Sequence, residues 1–126
     1  MPRRLNGKRV LVVEDEFLLA HQERMALERV GATIVGPVDN EPAAFAILMQ
    51  DGADVVALDW NLRGKRPLRM TRYLKDRSIP FVIVTGYDRA ALPTEVRTAP
   101  FVQKPFGQDE LVLALANAVG SLDARL

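Results

Sequence analysis

Arg9-Val10-Leu11-Val12-Val13-Glu14-Asp15-Glu16 is a compact β-rich run that ends abruptly in three acids. An apolar run this short, closed by charge, reads as a buried strand whose end meets solvent. Working outward from it, Phe17, Leu18, Met25, Leu27 and Val30 recur at helical spacing, and Gly31 suits the position just past a helix end. Thr33-Ile34-Val35 is a second strand. Asp39-Asn40-Glu41-Pro42 opens a helix over 43–50, with a capping side chain and proline in the first turn, and Gly52 lies beyond its end. Val55-Val56-Ala57-Leu58 is a third strand that runs straight into Asp59, and 67–75 is a third helix. Phe81-Val82-Ile83-Val84 is a fourth strand ending at Thr85-Gly86, and Phe101-Val102-Gln103 a fifth before Lys104-Pro105. An apolar-striped helix over 109–122 closes the chain. The stretch 88–99 holds Pro93 and few well-spaced apolar positions, and is expected to be a short, poorly formed fourth helix. Strand–helix alternation of this kind implies an α/β fold: a doubly wound, five-stranded parallel sheet with helices on both faces.

Composition narrows the function. With 126 residues there is room for one domain, taken as 1–126 with a core of about 8–122 and no output domain. The absence of cysteine excludes disulfide frameworks, thiolate metal sites and cysteine nucleophiles, and the single histidine, His21, excludes a histidine-rich metal site. Seventeen basic against sixteen acidic residues give a net charge of +1, which argues against nucleic acid as the main partner. No apolar run approaches the ~20 residues that span a bilayer, and no signal peptide is present, so a cytoplasmic protein without membrane insertion is expected.

In an open parallel sheet, ligands collect beyond the carboxyl ends of the strands. Those positions hold Glu14 and Asp15, Asp59, Thr85 and Lys104. With strand order 2-1-3-4-5, flavodoxin-like, all five converge on one crevice. Clustered carboxylates repel one another unless a cation sits among them, and an all-oxygen set suits Mg²⁺. A carboxylate beside such an ion, with an ammonium and a hydroxyl aimed at the same point, suits acceptance of a phosphoryl group.

These residues resemble the response-regulator receiver domain of bacterial two-component signalling. The similarity runs from Lys8 to about Leu122 and rests on Val10-Leu11-Val12-Val13-Glu14-Asp15, Leu58-Asp59 with Gly64, Val84-Thr85-Gly86, and Lys104-Pro105-Phe106. The resemblance implies that Asp59 is the phosphoacceptor. It implies that Glu14, Asp15 and Asp59 hold Mg²⁺ with the backbone carbonyl of Asn61, and that Thr85 and Lys104 read the phosphoryl group. It also implies a phosphohistidine donor on a histidine kinase or histidine phosphotransfer protein. Tyr87 and Phe101 are the candidate switch aromatics. Such a chain catalyses only its own phosphorylation and dephosphorylation, and switches a surface for a downstream protein partner as a monomer or weak dimer.

Two departures stand out. Glu14 occupies a position where aspartate is commoner, and Arg63 replaces the usual proline before Gly64, so the loop after Asp59 is expected to differ in shape. Pro80-Phe81-Val82-Ile83-Val84-Thr85-Gly86-Tyr87 partly resembles the FATGUY subgroup of single-domain receivers, associated with stress signalling in alphaproteobacteria, with Ile83-Val84 in place of Phe-Ala. Trp60 is expected at the rim of the site, His21 in solvent, and the basic residues Arg3, Arg4, Lys8 and Arg9 in a frayed, solvated terminus.

Two other classes of function compete. A haloacid-dehalogenase-type phosphatase also places an aspartate after an apolar strand. It needs a second acid two residues on, where this chain has Asn61, and further acids after the lysine, where only Asp109 and Glu110 lie. An interaction scaffold would carry Asp59 without phosphorylating it. A flavin binder is disfavoured because Glu14-Asp15-Glu16 would repel a phosphate.

Overall fold

The computed structural model describes the backbone of residues 3–125 and the side chains of residues 4–120. The elements follow in the order β1 (Arg9–Val13), α1 (Phe17–Arg29), β2 (Thr33–Val38), α2 (Glu41–Gln50), β3 (Val55–Asp59), α3 (Leu68–Asp76), β4 (Phe81–Thr85), β5 (Phe101–Gln103) and α4 (Gln108–Arg125). Short 3₁₀ turns lie at Arg3–Leu5 and Arg89–Ala91. The five strands form one parallel sheet in the order β2-β1-β3-β4-β5, as expected from the sequence.

Alternation along the strands builds two cores, one on each face of the sheet. Val10 and Val12, with Val55, Ala57, Val82 and Val84, face α1 and α4, where Leu27, Leu111 and Leu115 are buried against them. Leu11 and Val13, with Val56, Leu58 and Ile83, face α2 and α3, where Leu48, Met70 and Leu74 complete the packing. Burying β1, β3 and β4 on both faces is what lets their sequences be apolar without alternation. Asn40 caps α2 by accepting a 2.8 Å hydrogen bond from the Ala43 N–H, and Pro42 occupies its first turn.

Four expectations need correction. First, no α-helix forms between β4 and β5. The chain makes one 3₁₀ turn and a run of turns, yet Leu92, Val96 and Ala99 are buried on the α2–α3 face. Three apolar anchors cover the sheet there, while Pro93 has no N–H to give to a helix. Second, the apolar residues that open α1 do not face the core: Phe17 is 88% and Leu18 67% exposed. The buried stripe of α1 is Ala20, Glu23, Ala26 and Leu27. Third, Trp60 is 1% exposed and packs beneath the site with Leu58, Leu62, Met70 and Leu74 rather than at its rim. Fourth, the start of the chain is not wholly a solvated tail, because Leu5 is fully buried in the core under α1 and α4. His21 is half-buried, with Nδ1 3.2 Å from an Arg24 guanidinium nitrogen.

Strand β2 runs three residues beyond its expected end. A bulge opposite β1 moves the register from Leu11↔Val35 to Val13↔Val38. Gly36 sits in the bulge at φ 87°, where an added Cβ would lie 2.9 Å from the Val38 nitrogen. Only glycine takes both the backbone conformation and the close approach. The bulge has a consequence for the site, because it brings the Val38 carbonyl to the Glu14 N–H at 2.9 Å.

Candidate functional site

The carboxyl ends of β1, β3, β4 and β5 open into a cleft of about 250 Å³ lined by Asp15, Asp59, Asn61, Thr85, Tyr87 and Lys104, among others. That volume suits a phosphoryl group and is too small for a flavin. Backbone ladders fix its walls. Asp59 is the last residue of β3, paired with Val84, and the next N–H, of Trp60, donates to the Val84 carbonyl at 2.8 Å. Lys104 follows β5 and donates its N–H to the Thr85 carbonyl at 2.7 Å.

Glu14, Asp15 and Asp59 each bring a carboxylate oxygen within 4.8 Å of the others. Glu14 and Asp59 are buried, and Asp15 is half-buried. Lys104 Nζ reaches all but one of the acids around it. It stands 3.3 Å from Glu16 Oε1, 3.5 Å from Glu14 Oε2 and 3.6 Å from Asp59 Oδ1. The loop after β3 supplies backbone donors. The Asn61 N–H donates to Asp59 Oδ1 at 3.1 Å, and the Arg63 N–H donates to Asp15 Oδ2 at 2.9 Å. Asn61 Oδ1 accepts from the Gly64 N–H and closes the turn. Arg63 adopts φ 54°, which the ring of the usual proline cannot reach, so the loop differs as expected. Its guanidinium pairs with Asp39.

The electrostatics are those of a crowded acidic site. Burial, then the neighbouring Glu14 carboxyl, pushes Asp59 up to about 8. Burial likewise raises Glu14 to about 7, although its contact with Asp59 and the N–H of Glu16 oppose the rise. Asp15 is held below the ordinary carboxylate value: burial works against its charge, but the Arg63 N–H and the contacts with Asp59 and Glu14 together outweigh it. Burial also opposes the charge of Lys104, and Asp59 and Glu14 more than offset this, so its pKa is raised.

The donor set fits a divalent cation. Glu14 Oε1 and Asp59 Oδ2 are buried oxygens with no hydrogen-bond partner, and all ligands on offer are hard oxygens. Thr85 is buried at the end of β4, and its Oγ1 accepts the Tyr87 N–H at 3.0 Å, which leaves its own proton free to donate into the cleft. The two candidate switch aromatics lie apart. Tyr87 lines the cleft and is 52% exposed, whereas the Phe101 ring is half-buried under the Arg89 guanidinium, 4.2 Å from its centroid.

One site residue was not foreseen. Glu23 is buried on α1 beside Glu14, with Oε1 unpartnered, and burial raises it to about 7. Its signal in the sequence is its register: an acid three residues after Ala20 and three before Ala26 lies on the core stripe of α1. The acids that a phosphatase would need after its lysine, Asp109 and Glu110, are exposed at the start of α4 and do not line the cleft.

Comparison with known proteins places the chain in a family. The chain belongs to the response regulator receiver domain family, which it matches over residues 10–116. It is 35% identical over 111 residues to the sensory transduction protein LytT of Bacillus cereus, covering 85% of this chain and 45% of that one. It is 30% identical over 116 residues to the phosphate regulon transcriptional regulatory protein PhoB of Pseudomonas aeruginosa, covering 86% and 50%. The chain thus spans about half the length of these curated relatives. Among solved structures, the response regulator PhyR of Brucella abortus superposes with a TM-score of 0.85 at 26% identity, covering 98% of this chain and 52% of that one. The solution structure of SdrG from Sphingomonas melonis Fr1 gives 0.78 at 38% identity, covering 90% and 96%. Among the described residues no helix is long and apolar enough to cross a membrane.

Proposed function

We propose that Asp59 accepts a phosphoryl group from the phosphohistidine of a histidine kinase or phosphotransfer protein, with Mg²⁺ held by Glu14, Asp15, Asp59 and the main-chain carbonyl of Asn61. The observation that carries this reading is the convergence of Glu14, Asp15 and Lys104 around a buried Asp59 whose Oδ2 has no partner. The ion, when bound, supplies the positive charge that keeps Asp59 ionised and draws charge from the phosphoryl oxygens.

Asp59 Oδ2 attacks phosphorus, a P–O bond forms, the P–N bond of a phosphohistidine already protonated on its other ring nitrogen breaks, and the electron pair leaves with nitrogen to give neutral imidazole. Lys104 then exchanges one of its carboxylate contacts for a phosphoryl oxygen, and the Thr85 hydroxyl donates to another. Drawing Thr85 inward pulls on Gly86 and Tyr87, and so on the turn segment 86–100, beside which β5 and α4 form the surface for a downstream protein. The chain modifies its own aspartate and turns over no other substrate. Its place is the cytoplasm, and neither nucleic acid nor membrane is required.

The test is intact-mass measurement after incubation with acetyl phosphate and Mg²⁺. The wild type gains one phosphoryl group and Asp59→Asn gains none, because the amide is neither a nucleophile nor a charged ligand. Equal labelling of the variant would move the acceptor elsewhere, and no labelling of the wild type would leave the scaffold reading in its place.

A further inference from the structure

A groove of about 1090 Å³ lies away from Asp59 between α2 and α3. Its floor is apolar: Phe45 and Tyr73 meet edge to face with centroids 5.3 Å apart, and Met49 is 69% exposed beside them. Its wall is basic. Residues 63–77 hold seven of the chain's seventeen basic residues and only one of its sixteen acids, Asp76. A chain of nearly zero net charge therefore concentrates positive charge on one helix and the loop before it.

Some of these cations are already paired, Arg63 with Asp39 and Arg72 with Glu95. Arg69 and Arg77 are exposed and have no carboxylate partner among the described residues. Each instead lies over an aromatic ring, Arg69 at 5.9 Å from the Phe45 centroid and Arg77 at 3.9 Å from that of Tyr73. A guanidinium over a ring is held in place by the ring while its N–H edges stay free. The two arginines are eight residues apart, one near the start of α3 and one at its C-cap, about 12 Å of helix rise, and both border the apolar floor. That arrangement fits carboxylates spaced along one segment, with apolar side chains between them.

We propose that the α2–α3 groove docks an acidic, amphipathic segment of a partner protein, with its carboxylates on Arg69 and Arg77 and its apolar side chains on Phe45 and Met49. Nucleic acid fits less well, because Arg77 already lies over the Tyr73 ring, 3.9 Å from its centroid, where a base would stack. The docking does not depend on phosphoryl transfer at Asp59.

The test is fluorescence anisotropy with a labelled amphipathic peptide carrying a leucine stripe flanked by glutamates. Comparison probes are the same peptide with lysine for glutamate, the same with serine for leucine, and a single-stranded RNA. The glutamate–leucine peptide is expected to bind best. The double variant Arg69→Glu/Arg77→Glu should weaken it at least ~10-fold, and Met49→Ser should weaken it by a smaller factor. All three substitutions are at exposed positions, and circular dichroism checks that the variants fold. Amide chemical shifts of the wild type should move around 42–49 and 69–77. Tighter binding of RNA, equal binding of the serine peptide, undiminished binding by the double variant, or no binding of any probe would each overturn the proposal.

Discussion

The acidic pocket and the connection from β4 to β5 border the same cleft but are held by different means. Around the pocket, backbone bonds do the holding: Glu14 N–H to Val38, Trp60 N–H to Val84, and Lys104 N–H to Thr85. Below it, Trp60 is buried with Leu58, Leu62 and Met70. The 86–100 segment has one 3₁₀ turn; it is anchored by the buried Leu92, Val96 and Ala99 and otherwise tied by side chains, with Arg72 on Glu95 among them. Arg89 donates to the carbonyls of Arg97 and Ala99 and covers Phe101, and Arg97 donates to the Leu92 carbonyl at 3.0 Å. Ladder bonds between buried strands open only with the sheet, whereas exposed side-chain bonds exchange with water at little cost. The difference sets a preformed acidic site beside a segment held more by turns and side chains than by sheet.

Three perturbations sharpen this contrast, in decreasing size. Trp60→Ala should destabilise the protein by about 3–5 kcal/mol, since it empties the packed volume under Asp59. Chemical denaturation measures the loss, and Trp60→Phe should recover most of it. A loss under about 1 kcal/mol would mean that the pocket floor is as adaptable as the 86–100 segment.

The second perturbation is pH. In the metal-free protein Glu14 and Glu23 are raised to about 7 and Asp59 to about 8, from ordinary values of 4.5, 4.5 and 3.8. Between those limits the folded state holds protons that the unfolded chain has released. Stability is therefore fully present at the acid end of the window and falls as pH rises toward 8. Thermal melts at about pH 5 and pH 8 should differ by roughly 1–3 kcal/mol in favour of the lower pH. Mg²⁺ should raise the melting temperature more at the higher pH, where the carboxylates are free to bind it. The opposite trend would contradict the burial of these acids.

The smallest expected effect is Arg89→Ala, at about 1 kcal/mol or less of global stability, because the bonds lost are partly exposed. Amide exchange over 86–100 should nonetheless quicken while β1 and β3 stay protected.

What the sequence made legible follows the same division. The ends of β1 and β3 could be read because a doubly buried strand is an unbroken apolar run, and Glu14 and Asp59 end such runs abruptly. The converging site followed only with the strand order 2-1-3-4-5, which apolar runs alone leave open and the sheet supplies. Trp60 was misplaced because one residue past a strand can turn either way, and only the packing of Leu62 and Met70 decides. Phe17 and Leu18 suggested the wrong face of α1, whose buried stripe is made of small residues and an acid, Glu23. The missing helix after β4 was half legible: Pro93 warned against it, but Leu92, Val96 and Ala99 retain the spacing of a covering element without its hydrogen bonds. Arg63 showed its importance only in three dimensions, where its N–H holds Asp15 and its side chain holds Asp39.

The most direct measurement is hydrogen exchange of the protein with and without beryllofluoride and Mg²⁺. Fast exchange over 86–100 is expected in the free protein, with protection of that segment on addition of the mimic and little change in β1 and β3, which are protected throughout. Equal exchange of 86–100 in both states, with the change appearing instead around α1, would contradict this expectation.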